Sequence, residues 1–330
     1  MAVSFQEFVG KFSEESSDQI MDLDIGGGRP LPVMLNSNPG ARTLLIVFHG
    51  AYERSRYKLP NFLDRAEIGV AAHRLSLADP SLDRHEKLAL GWFAGDDELP
   101  LQPLLSAYLE DLVGELSVER VVFMGSSGGG FAALFYSWHL ADSVAVVKIP
   151  QTRILAYRRA AYDRYLNACW PNGMEAYGED APVLDLTHLY SKQMNNQVIF
   201  IQNTFDTHHM YEHMIPFVGC LPEQSRESLF LKTSYWGKQG HSNSVPLLEW
   251  DTWARAAVMA PTASVVDIAD EYLKLNLEKG PKLGLFKATS NRAIESNDRS
   301  LAVQDIDLEW ARMVVDSQFS SKRPALDSPA

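Results

Sequence analysis

Ser127, Asp206 and His241 follow one another along this chain in the order nucleophile, acid, base, each after an apolar run that reads as a strand. A serine hydroxyl is a poor nucleophile at neutral pH and needs a base within hydrogen-bond reach. An imidazole titrates near neutrality, so His241 suits the removal of that proton and its delivery to a leaving group. A carboxylate must then fix the tautomer of the ring and stabilise its cation, the task that falls to Asp206. Asp142 and Asp185 are the lesser candidates for the acid.

The serine is the best marked of the three. Across 119–134 a short β-branched run breaks into glycines around a serine, and an Ala/Leu/aromatic run follows at once. That pattern predicts a strand, a sharp turn and a helix. Gly125, Ser127 and Gly129 fit G-x-S-x-G, the nucleophile elbow. Side chains two residues to either side of such a serine would clash where strand and helix pass closely. The turn lifts the Ser127 hydroxyl off the sheet and sets the Gly128 N–H at a helix start, facing a developing oxyanion. Ser126 is the weaker nucleophile, because Met124 stands two before it, and is placed among the substrate contacts. No Gly-Lys-Ser/Thr and no G-x-G-x-x-G follow, so a nucleotide phosphate loop does not fit.

A second oxyanion donor is expected from His49-Gly50-Ala51-Tyr52, which leaves the continuous apolar run 43–48. Ala51 or Tyr52 would give the N–H, with His49 and Gly50 beside the substrate. Further along, Ile154, Tyr157, Ala161, Tyr165 and Ala168 fall at helical spacing. Arg153, Arg158, Arg159 and Arg164 crowd the same predicted helix against Asp163. Either this is a solvated face, or Arg153 and Tyr157 help to bind an anionic or sugar-bearing substrate. Asp206, His208, His209 and His213 suggest a rival metal site, since residues four apart share a helix face. Met210 stands where H-E-x-x-H needs its glutamate, so no metal and no cofactor are expected; one of these histidines would instead help to position Asp206.

The elements that must hold these residues follow from periodicity. Strands are expected over 19–25, 31–35, 43–48, 69–77, 119–124, 143–149, 198–202 and 229–233, the first two pairing around Gly26-Gly27-Gly28. A short helix or lead-in precedes them. Leu105, Leu109, Leu112 and Leu116 form a one-sided helical stripe. Helices are expected over 245–259 and 262–277, the second capped by Thr262. Strands alternating with helices predict an α/β, doubly wound and mostly parallel sheet. The stretch between the strand ending at Ile149 and the next is far longer than an ordinary βα connection, so 151–195 reads as a helical cap insertion. The domain is drawn as 1–281, and 282–330 as a polar tail with one amphipathic helix around Ile306, Trp310 and Met313 and a disordered end. That tail is where a protein partner or a second copy would dock.

The 330 residues carry a net charge of −12 and a pI near 5.2, which argues against nucleic acid or an anionic membrane as partner. Two lone cysteines give no disulfide framework and no zinc spacing. With no apolar leader over the first 19 residues and no long apolar run, the reading is a soluble, cytoplasmic protein.

Through Phe48-His49-Gly50-Ala51, Gly125-Ser126-Ser127-Gly128-Gly129, Asp206 and His241, residues 18–278 resemble the α/β-hydrolase superfamily. The resemblance implies that fold and a serine hydrolase that cleaves an ester through an acyl-enzyme. The run from Gly125 to Phe131, with a strand ending in Pro150-Gln151-Thr152, also resembles bacterial proteins linked to surface polysaccharides and accessory secretion. That likeness implies acyl transfer to a sugar or alcohol as the alternative activity. A binding module that keeps the fold without catalysis is the alternative of another class.

Overall fold

The computed structural model describes residues 2–14, 18–63, 68–237, 241 and 244–278. The tail expected over 282–330 lies outside these residues. Eight strands form one sheet: β1 (Gln19–Leu23), β2 (Leu31–Asn36), β3 (Thr43–Phe48), β4 (His73–Leu77), β5 (Arg120–Ser126), β6 (Val144–Lys148), β7 (Gln197–Asn203) and β8 (Leu229–Ser234). Their order is β1-β2-β4-β3-β5-β6-β7-β8. β1 and β2 run antiparallel at one edge, and every pair from β4 to β8 is parallel.

The parallel strands earn their place by composition. All six residues of β3 and all five of β6 are buried, as apolar strands sandwiched between helix layers must be. Alternation sorts them to two faces: Leu44, Ile46 and Phe48 join one cluster, Leu45 and Val47 the other. The first face is covered by α2 (Leu101–Glu115), whose Leu105, Leu109 and Leu112 are buried as their spacing predicts, and by α3 (Gly128–His139). The second is covered by α6 (Leu247–Met259) and α7 (Val265–Glu278) through Trp250, Trp253, Ile268 and Tyr272. Trp250 donates its indole N–H to the Val146 carbonyl of β6 at 3.1 Å. The guanidinium of Arg120, at the start of β5, donates to the carbonyls of Ala257, Val258 and Ala260 at 2.8–3.0 Å, capping the C-terminal end of α6. At the N-terminus, α1 (Phe5–Lys11) begins with a reciprocal capping box between Ser4 and Glu7.

Three expectations change in detail. The fourth strand starts at His73, not at 69. α7 is capped by Ser264, whose hydroxyl accepts the Asp267 N–H at 3.2 Å; Thr262 instead accepts from Ser264 N–H, two residues too early. The single basic helix expected from Ile154 to Ala168 is broken. Ile154–Ala156 form a 3₁₀ turn, Tyr157 turns extended (ψ −174°), and α4 spans Arg159–Cys169. The arginines therefore do not share one face. Arg153 pairs with Asp185 (3.4 Å), Arg159 with Asp163 (3.3 Å), Arg164 donates to the Lys87 carbonyl (3.4 Å), and Arg158 lies over the Tyr157 ring.

α4 packs into the body rather than standing off it. Tyr165 donates to the Gly95 carbonyl at 2.9 Å, the Trp170 indole donates to Tyr165 at 2.9 Å, and buried Cys169 turns its thiol toward the Ser81 carbonyl at 3.9 Å. A short α5 (Thr187–Tyr190) leads on toward β7. No helix among the described residues is long and apolar enough to cross a membrane.

Candidate active site

The strand order reverses at β3: β4 lies on one side of it and β5 on the other, with Phe48 opposite Gly125 at the carboxyl ends. Such a reversal opens a crevice beyond the strand ends, where ligands of open α/β sheets bind. Ser127 sits there, between β5 and α3, at φ 58° and ψ −122°. A non-glycine residue held in that region is strained and persists only where its surroundings impose it. The glycines show how. A Cβ on Gly125 would lie 2.0 Å from the Gly129 carbonyl oxygen, and one on Gly129 would lie 2.5 Å from Phe48 O. Strand, helix and the β3 exit are thus in backbone contact around the serine. The Ser127 N–H donates to Lys148 O (3.2 Å), and its carbonyl accepts from Gly130, Phe131 and Gln151. Gly128 opens α3, so its N–H has no helical carbonyl behind it.

The His49–Tyr52 loop lies against this turn. A Cβ on Gly50 would meet Ser126 O at 2.8 Å and Ser127 Cβ at 3.5 Å. The Tyr52 N–H donates to Ala89 O at 3.3 Å, which leaves Ala51 as the donor able to turn toward a ligand. His49 is buried and both its ring nitrogens are engaged. The Asp79 N–H donates to Nε2 (3.1 Å), so the proton is on Nδ1, which donates to Gly50 O (2.8 Å). Burial pushes this imidazole down to about 4, so it shapes the loop as a neutral ring. The acid beneath it, Asp79, accepts from the Phe93 and Ser81 N–H groups and is pushed up to about 6 by burial.

Asp206 and His241 come together at the ends of β7 and β8. His241 Nδ1 donates to Asp206 Oδ2 at 3.0 Å, a bond that fixes Nε2 as the acceptor nitrogen of the ring. The sequence did not foretell the symmetry of this acid: His209 Nδ1 donates to Oδ1, also at 3.0 Å, and its ring stacks on that of His241 (centroids 3.9 Å, interplanar 9°). Burial alone would raise the Asp206 pKa, but the two imidazole hydrogen bonds outweigh it and hold the carboxyl well below the usual range. Burial pushes His209 down to about 4 in spite of that carboxylate. His209 is therefore held as a neutral, Nδ1-protonated ring against the charged carboxylate.

The metal-ligand spacing resolves differently from its helical reading. Asp206, His209 and His241 each offer a ligand atom within 4.8 Å of the others, but both histidine Nδ1 atoms already carry protons bonded to the carboxylate. Met210–Met214 is a π turn, so His209 and His213 do not follow α spacing; their rings lie 5.0 Å apart. His213 accepts the Thr152 N–H at Nδ1 (3.3 Å), and His208 is exposed.

The lesser acids lie elsewhere. Asp185 accepts from Thr187 and pairs with Arg153. Asp142 is exposed and precedes β6, at the amino end of the sheet. Arg153 is spoken for by Asp185, and Ser126 ends β5 with its carbonyl against Gly50. Tyr157 lies against the histidines beside Asp206, with its ring 5.9 Å from His209 and 6.5 Å from His213. Ser127 Oγ accepts a hydrogen bond from Gln151 Nε2 at 3.0 Å. No hydrogen bond joins Ser127 to His241 among the described residues.

No protein-family model and no curated protein matches the sequence. Among solved structures, the chain is similar to a capsule O-acetyltransferase of Neisseria meningitidis serogroup A (TM-score 0.53, 14% identity, over 76% of this chain and 98% of that one). It is similar to 2,6-dihydroxy-pseudo-oxynicotine hydrolase (0.50, 14%, over 77% and 71%) and to the acylaminoacyl peptidase of Pyrococcus horikoshii (0.52, 11%, over 80% and 45%). At such identities the likeness is one of fold.

Proposed function

We propose that this chain, which has the α/β-hydrolase fold, is a serine hydrolase that splits an ester through an acyl-enzyme on Ser127. The observation that carries the reading is the strained serine at the β5–α3 turn, with a carboxylate-bound histidine beyond neighbouring strand ends. In this mechanism His241 Nε2 takes the Ser127 proton as Oγ bonds to the acyl carbon. The carbonyl oxygen takes the electron pair and is met by the N–H groups of Gly128 and Ala51. Collapse expels the alcohol with the proton from His241, and water repeats the sequence to free the acid. Asp206 holds the His241 tautomer and stabilises its cation. The swing that brings His241 onto Ser127 belongs to the substrate complex, since catalytic hydrogen bonds commonly tighten only there.

Acyl transfer is the second reading. Ser127 is only 6% exposed, so an acyl group on it is shielded from bulk water and open to an acceptor bound in the crevice. The Neisseria protein, by its description an O-acetyltransferase, shows that such chemistry runs on this fold. Two free thiols, Cys169 and Cys220, fit a reducing compartment such as the cytoplasm.

A fluorophosphonate should label Ser127 alone, read by mass spectrometry. Ser127→Ala should lose label and aryl-ester turnover while keeping the wild-type Tm; turnover retained in that variant would overturn the assignment. Sugar or alcohol acceptors that suppress hydrolysis and emerge acylated would decide for transfer.

A further inference from the structure

Gln151 is not part of the three-residue machinery, yet it is the side chain that touches the nucleophile. It follows β6 and is fully buried. Its backbone N–H donates to the Ser127 carbonyl at 3.0 Å and its side-chain Nε2 to Ser127 Oγ at 3.0 Å. Its Oε1 accepts the indole N–H of Trp92. An indole N–H can only donate, so Oε1 must face Trp92 and the amide protons must face Ser127. The usual ambiguity of a glutamine amide is removed by its neighbour. Trp92 is itself held firmly. It and Phe93 both have left-handed backbones (φ 57° and 53°), the Phe93 N–H is tied to Asp79 at 2.8 Å, and the Trp92 ring packs edge-on against Tyr165 (5.5 Å) and Tyr157 (6.3 Å).

We propose that Gln151 is a further catalytic residue, a fixed donor to the nucleophilic oxygen itself, and that Trp92 is the positioning residue that sets its polarity. The proposal rests on the reading of Ser127 as nucleophile. Because Oγ accepts from Gln151, the hydroxyl proton of Ser127 is left to point away from the amide, toward the side from which His241 must take it. As Oγ bonds to the acyl carbon and its proton passes to His241 Nε2, negative charge builds on Oγ before the new bond is complete. The same charge returns when the acyl–Oγ bond breaks in deacylation and Oγ recovers a proton from His241. In the acyl-enzyme between these steps, Oγ is an ester oxygen and a poor acceptor. The Gln151 bond is therefore strongest while charge sits on Oγ, which is the condition for lowering a barrier rather than merely binding. A buried polar pair aimed this way is also costly to leave half made, so the three side chains hold together or fail together.

The test is the second-order rate of fluorophosphonate labelling at Ser127, with the acylation burst on p-nitrophenyl acetate, in wild type, Gln151→Met, Gln151→Glu and Trp92→Phe. Gln151→Met keeps the volume and the backbone bond but removes the donor. It should slow labelling and burst roughly ten- to a hundredfold, the scale of one hydrogen bond to a charged atom. Gln151→Glu is isosteric and should be slower still at neutral pH, because a carboxylate accepts the Ser127 proton and draws it from the base. Trp92→Phe frees the amide to flip and should fall between Met and wild type, lowering kcat more than it raises KM. A merely space-filling Gln151 predicts that the isosteric Glu is labelled as fast as wild type; that result, or a folded Gln151→Met at the wild-type rate, overturns the proposal and leaves the nucleophile assignment standing. A folded wild type that takes no label at Ser127 removes both.

Discussion

Three histidines are stored neutral in this protein, and each ties stability to pH. His49, between Gly50 O and the Asp79 N–H, and His209, on Asp206, are both pushed down to about 4 from 6.5, by burial above all. His213, in the same wall, is pushed lower still by burial. A group whose folded pKa is depressed contributes stability that is present above its unfolded value and lost as pH falls through the folded one. The window is therefore from about pH 6.5 down to 4. Between pH 7 and 5, His49 and His209 would each give up about 2 kcal/mol. Asp79 works the other way. Its pKa, raised to about 6 by burial, makes it a stabilising group only at low pH, and it returns about 1 kcal/mol over the same interval. The histidines win, so the Tm should fall steadily from pH 7 to pH 5. A Tm that is flat or rising on acidification, followed by calorimetry, would mean that these rings are not held neutral.

At the scale of elements, the turn between β5 and α3 depends on close backbone approach. Gly129→Ala would set its methyl 2.5 Å from Phe48 O and 2.6 Å from His49 O, both main chain and unable to retreat. Gly114, exposed near the end of α2 with nothing within 4 Å of its added Cβ, is the control. Gly114→Ala should raise stability by about 0.5–1 kcal/mol, whereas Gly129→Ala should lower it by several kcal/mol or abolish soluble expression. Thermal melts of the two variants decide it; a harmless Gly129→Ala would mean that the turn is loosely packed. The same contrast explains what could be read from sequence. Strands buried on both faces, such as Thr43–Phe48, and the glycines around Ser127 carry local signals strong enough to place them. Ile154 to Ala168 misled because side-chain spacing passes unbroken through the turn at Tyr157, where the backbone leaves the helix. Thr262 and Ser264 are both credible caps, and only the position of Asp267 three residues on selects the second. The partnership of Asp206 and His241 follows from their both trailing strands. That one of the histidines following Asp206 would position it was legible, but its being His209 depends on where the π turn begins, and Gln151 had no signal at all, since its contact with Ser127 depends on how the chain leaves β6.

On the scale of the whole molecule, the parallel sheet divides two apolar layers, and the segment between β6 and β7 is stitched onto one of them. Its α4 ends in Cys169, which is fully buried with its thiol directed to the Ser81 carbonyl; burial pushes that thiol far above its ordinary range. A sulfur that is both protonated and walled in cannot meet an alkylating reagent until its surroundings part. The native chain thus holds a built-in reporter of breathing between α4 and the Ser81 turn. With excess iodoacetamide at neutral pH, Cys169 should react at least on the order of 10³ times more slowly than in the urea-unfolded chain. The ratio of those two rates is the equilibrium constant for opening at that one seam. If Cys169 reacted as fast folded as unfolded, the seam would be standing open.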